Sequence, residues 1–113
     1  MLSKRINYVV DQGCIFNANI AVLDDQGNPV ANDNATIVGA VIKHVNGPII
    51  MTFDTVFVLG NASITLLSSD TSVMPAGGYL YDVHYVDTST NEHTMIQSGI
   101  LTIKSSAIST LSF

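Results

Sequence analysis

Hydrophobic and polar positions alternate along this chain with a period of two, and the runs that do so are short and separated by turn residues. Ile6–Val10 predicts a first strand closed by Asp11-Gln12-Gly13. Over Cys14–Leu23, Cys14, Phe16, Ala18, Ile20 and Val22 fall on one face while Asn17 and Asn19 fall on the other, as in a half-buried strand. Asp24–Pro29 gathers acids, Gly and Pro, so it predicts a hairpin turn. Ala35–His44 is apolar on both faces, which predicts a central strand. Asn46-Gly47-Pro48 turns the chain into Ile49–Val58, and Gly60-Asn61 turns it again into Ala62–Leu67, with Ala62, Ile64 and Leu66 inward. Ser68–Pro75 predicts the one helical turn, capped by Ser69 or Asp70 and ended by Pro75. Tyr79–Val86 places Tyr79, Tyr81, Val83 and Tyr85 on one face, with Asp82 and His84 on the other. Thr88–Glu92 is a polar hairpin loop, and His93–Lys104 is the last strand, with Gly99 at a bulge or a close strand contact.

About seven strands at even spacing predict an all-β fold, an immunoglobulin-like antiparallel β-sandwich. With 113 residues the chain fits a single domain over 1–113, with short arms at 1–5 and 105–113.

Composition narrows the function. The net charge is −5, and the four cations Lys4, Arg5, Lys43 and Lys104 are scattered, so no nucleic acid is expected as a partner. Only 12% of residues are charged, against roughly 25% in ordinary soluble domains. Two explanations compete at even weight: Ser, Thr and Asn solvate the surface, or neighbouring subunits cover it. No run approaches the ~18 apolar residues of a membrane helix, and Met1–Arg5 is followed by Asn7 and Asp11 rather than by an apolar signal core. No membrane association is expected, and the sequons at Asn34 and Asn61 read as chance.

Candidate chemistry is sparse. Asp82 and His84 share a strand face and His93 opens the next strand, so a site of two histidines and one carboxylate is conceivable. A solvated polar face is the stronger reading, because no ligand-spacing motif supports the metal. Cys14, alone in the chain, reads as a small buried hydrophobe. Gly-x-Ser-x-Gly elbows, Walker loops and dinucleotide fingerprints are absent from the sequence. The expectation is a non-enzyme with no cofactor, no metal and no catalytic residue. The Tyr79/Tyr81/Tyr85 stripe reads as core ahead of a sugar platform. Asp24, Asp25 and Asp33 read as a solvated loop ahead of a cation site.

Four stretches carry a resemblance. Asp11-Gln12-Gly13 ahead of Phe16, the Asp24–Val30 turn, Met74-Pro75-Ala76-Gly77-Gly78-Tyr79-Leu80-Tyr81-Asp82-Val83, and Ser98-Gly99-Ile100-Leu101-Thr102-Ile103 together look like a family of small tailed-bacteriophage structural proteins. Those resemble the immunoglobulin-like N-terminal domain of baseplate upper proteins. The likeness runs from about Asp11 to Ile103. It departs after Val30, where the family tends to have Asp-Leu-Thr-Gly and this chain has Ala31-Asn32-Asp33-Asn34, which leaves the loop contacts unassigned.

What the resemblance implies is a virion component of the tail, neck, baseplate or capsid surface. It would dock other virion structural proteins, or further copies of itself, through β-edges and loops. The two arms are the first places to expect partner contacts, through Leu2, Arg5, Ile108, Leu111 and Phe113. Each apolar one would contribute about 1.5–3 kcal/mol if fully buried. The alternative is a receptor- or carbohydrate-binding β-sandwich module, which would need exposed aromatic residues near a loop end. A metal-dependent enzyme built on His84 and His93 comes third.

Overall fold

The structure is a computed structural model and describes residues 1–30 and 34–105. Among these, nine strands and one short helix follow in the order β1 (Lys4–Arg5), β2 (Tyr8–Asp11), β3 (Phe16–Ala21), β4 (Ala35–Ile42), β5 (Ile49–Thr52), β6 (Asp54–Val58), β7 (Asn61–Leu66), α1 (Ser68–Ser72), β8 (Gly77–Asp87) and β9 (Glu92–Lys104). The larger sheet has the order β1-β9-β8-β4-β5, with β2 also paired to β9, and the smaller has the order β3-β7-β6. A sheet built on β4, β8 and β9 facing one built on β3, β7 and β6 is the immunoglobulin sandwich. The expected all-β fold is present. No described helix is long and apolar enough to cross a membrane.

The inward faces carry the core. Ala62, Ile64 and Leu66 of β7 are fully buried, as the alternation predicts, and they meet Tyr81, Val83, Leu101 and Ile103 of the facing sheet in one cluster with Phe16, Ile20, Val22, Val41 and Met74. The three tyrosines of β8 are all buried, which is the core reading of that stripe. Tyr79 donates its hydroxyl to the Pro75 carbonyl four residues upstream. That contact, at the start of a strand after the inter-sheet corner, is the tyrosine corner of immunoglobulin-like domains. The α1 turn just before it is stitched to the β2–β3 turn: Thr71, fully buried, donates to Cys14 O at 2.8 Å and accepts from Gly13 N at 3.1 Å.

Five expectations are corrected. First, the arm expected at 1–5 is partly sheet: Lys4 and Arg5 pair with Gln97 and Ser98 of β9, and Leu2 N–H donates to Leu23 O. Second, β1 and β2 run parallel to β9, so the larger sheet is mixed. Between them the chain skirts Gly99, where a Cβ would lie 2.0 Å from the Ile6 carbonyl oxygen, and the Asn7 side chain accepts the Ile100 N–H in place of a backbone carbonyl.

Third, Ile49–Val58 is two strands in different sheets. Phe53 is the crossing point: it is buried, it donates its N–H to Gly39 O, and its ring covers Gly39, where a Cβ would sit 2.7 Å from the ring. Fourth, Cys14 is exposed in the turn that it helps close by donating its N–H to Asp11 O. Fifth, the α1 cap is Leu67, whose N–H is accepted by the Asp70 carboxylate at 2.9 Å, so Asp70 acts from the third helical position.

Ile108, Leu111 and Phe113 lie outside the described residues, as does Asp33. Asp24 is committed to its own turn, accepting from Gln26 N and Asn28 N at 2.9 Å each.

Candidate interaction face

Strand register builds one surface from the sequence upward. Because Val41, Tyr81 and Gln97 point inward, their neighbours on β4, β8 and β9 point outward, and the pairings line these up in transverse rows. One row is Ala40, Asp82, Ser98 and Arg5. The next on one side is Ile49, Ile42, Leu80 and Ile100. On the other side lie Val38, His84 and Met95, followed by His93. The result is an apolar field crossing four strands, with Val38 45%, Ile49 63% and Met95 45% exposed, and a polar seam through its middle.

Two shallow clefts open on this face. One, of about 460 Å³, is lined by Arg5, Ile42, Val45, Leu80, Asp82 and Ser98 among others. The other, of about 270 Å³, is lined by Val38, Ala40, Ile42, Ile49, Asp82, His84 and His93. Arg5, expected as a partner contact, is exposed on the sheet rim and lines the first of these clefts. Leu2 is 44% exposed and lies apart from these clefts, beside Leu23.

The seam is a hydrogen-bonded chain. Asp82 Oδ2 lies 3.2 Å from His84 Nε2, and His84 Nδ1 lies 3.2 Å from His93 Nδ1, with the two rings nearly perpendicular. Sequence spacing brought these three residues together correctly, but the carboxylate does not join the two histidines around a common point. It binds the opposite nitrogen of His84. Among the described residues, no group of three or more His, Cys, Asp or Glu side chains is arranged to hold a metal ion.

Directly beneath the seam, the inner side of the same strands is closed. Gln97, 1% exposed, donates to Tyr8 Oη at 2.8 Å and to Tyr81 Oη at 3.1 Å, while Tyr81 Oη donates to Ile6 O at 2.6 Å. Burial pushes the Tyr81 hydroxyl up to about 12, against a smaller opposing pull from Gln97. This network fastens β1 and β2 under the outer face. In the sequence this network shows only as a Gln within the last strand, and alternation does not reveal its burial or its partners.

Exposed apolar residues occur elsewhere too. Val56, Val58 and Leu59 line the β6 edge. Further in, the smaller sheet's outer face carries a polar cluster: Asn17 Nδ2 donates to Thr65 Oγ1 at 2.7 Å and to Ser63 Oγ at 3.1 Å.

The chain matches no protein-family model and no curated protein. Its fold is similar to part of InlP from Listeria monocytogenes, with a TM-score of 0.52 and 16% identity over 89% of this chain. A looser likeness, with a TM-score of 0.44 and 10% identity over 90% of this chain, is to a family 123 glycoside hydrolase from Clostridium perfringens. The chain spans only 26% and 23% of those two proteins. The likeness to InlP supports the β-sandwich and nothing about activity.

Proposed function

We propose that this domain is a non-enzymatic assembly module of a tailed-bacteriophage particle, part of its tail, neck, baseplate or capsid surface, that docks neighbouring virion proteins or copies of itself. The observation that carries the docking is the outer face of the larger sheet. Val38, Ala40, Ile42, Ile49, Leu80 and Met95 form an apolar field whose charged neighbours are few. Covering such a surface removes apolar area from water at about 25 cal/mol per Å² and strips little charge of its hydration. The particle itself is suggested by the sequence resemblance over Met74–Val83 and Ser98–Ile103.

The carbohydrate-binding alternative needs an aromatic platform. Tyr79, Tyr81 and Tyr85 are turned into the core and Tyr8 is packed edge-on against Phe16, so the described tyrosines do not supply one. Quantitative mass spectrometry of purified particles of the phage encoding this chain tests the proposal. The chain at a fixed ratio to the other particle proteins is the expected result. Its absence from particles, with abundant protein in the lysate, would overturn it.

A further inference from the structure

We propose that His84 and His93 form a two-histidine site for a divalent transition-metal ion, Zn²⁺ being the representative case, with Asp82 as the carboxylate that orients His84. The inference stands apart from the assembly reading and needs no partner.

Three features of the seam point to it. The first is spacing. Two imidazole nitrogens on one tetrahedral zinc, each about 2.0–2.1 Å from the metal, are about 3.3 Å apart. The Nδ1 atoms of His84 and His93 are 3.2 Å apart before any ion is added.

The second is the tautomer. An ionised carboxylate only accepts hydrogen bonds, so Asp82 at 3.2 Å requires the proton of neutral His84 to sit on Nε2. The His84 Nδ1 lone pair is then bare and directed at His93. Carboxylate to imidazole to metal is the arrangement by which metalloproteins fix a ligand ring and raise its basicity. With that tautomer of His84, the contact between the two Nδ1 atoms has His93 as donor and His84 as acceptor. Neutral His93 can carry that proton on Nε2 instead, which exposes the second lone pair with no net proton lost.

The third is rigidity. The two rings stand at 89° to each other rather than stacked, so their lone pairs approach from different directions. The hairpin joining their strands is locked: Ser89 N–H and Oγ–H both donate to the Asp87 carboxylate, and Asn91 takes a left-handed φ of 59° while donating its N–H to Asp87 O. The turn therefore holds the backbone positions of the two ligands in fixed register across the hairpin. Val38, Ala40, Ile42 and Ile49 wall the adjoining cleft, leaving the remaining coordination positions to water.

The test is calorimetric titration of the tag-free chain with zinc chloride, paired with long-range ¹H–¹⁵N spectra of the imidazoles. One Zn²⁺ per chain is expected, with Nδ1 of His84 and His93 shifting together and His44 unmoved. Binding should be lost in His84→Gln and in His93→Gln, and weakened about 10–100-fold in Asp82→Asn. These side chains are partly or wholly exposed, and thermal melts should show all three variants folded as the parent is. Absence of saturable one-to-one binding would overturn the site. So would binding that survives either histidine substitution, or a shift centred on His44.

Discussion

The two faces of the larger sheet are made from alternate residues of the same strands, yet they are built to opposite ends. On the inner side of β8 and β9, Tyr81, Gln97, Tyr79 and Leu101 are buried, and every described polar side-chain atom that is buried has a hydrogen-bond partner. One residue along, Leu80, Asp82, His84 and Ser98 face outward among Val38, Ile42 and Ile49, with two open clefts between them. The inner face has used up its binding capacity in holding the fold together. On the outer face that capacity is left over for a partner or a ligand.

Substitutions that break this comparison should hit stability on one side and association on the other. The largest effect is expected at Gly99. A Cβ there would collide with the Ile6 carbonyl, so Gly99→Ala must push β1 and β2 off β9, at a cost of about 3 kcal/mol. Urea unfolding gives the loss, and faster amide exchange confined first to Tyr8–Asp11 would show that these strands are what has moved.

Next comes Gln97→Met, which keeps the volume and removes both donated hydrogen bonds. About 1–3 kcal/mol should be lost, with the outer face unaltered.

Smaller again is a pH effect. The folded Tyr81 hydroxyl titrates at about 12 against an ordinary value of 10.0, so between those values the folded chain holds a proton that the unfolded chain has released. Stability from this group is complete below pH 10 and falls as pH rises toward 12. Tyr81→Phe should flatten that part of the stability profile. An unchanged slope would show that Tyr81 is not the titrating group.

The smallest stability effect belongs to the outer face. Val38→Glu and Ile49→Glu each replace an exposed side chain and should alter stability by no more than about 0.5 kcal/mol.

Much of the sandwich was legible because alternation reports directly on a two-layer fold. Ala62, Ile64 and Leu66, and Tyr79, Tyr81, Val83 and Tyr85, are inward as their spacing requires. The sheet switch at Phe53 was not legible, for a definite reason. Met51, Phe53, Thr55 and Phe57 keep an unbroken period of two through the crossing, so the pattern carries no mark of where the chain leaves β4 and joins β7. Pairing of β1 and β2 with β9 was hidden likewise, since side chains alternate between faces with a period of two whichever way the neighbouring strand runs. Cys14 was misplaced because its period matches Phe16 while its backbone already belongs to a turn.

At the candidate site, the period of two placed Asp82 beside His84, and the hairpin placed His93 near them. Which imidazole nitrogen meets which partner depends on side-chain torsions that no spacing encodes. Arg5 was singled out as part of a free arm, and it is the pairing of β1 that carries it onto the sheet rim.

Retention on phage particles tests the proposed docking face most directly. Purified particles would be compared after supplying the wild-type chain, the Val38→Glu/Ile49→Glu double variant, or Val56→Glu on the β6 edge as a control, all folded in solution. If the outer face of the larger sheet is the docking surface, the wild type and the control are retained in equal copy and the double variant is missing. Retention of the double variant at the wild-type level would contradict the account.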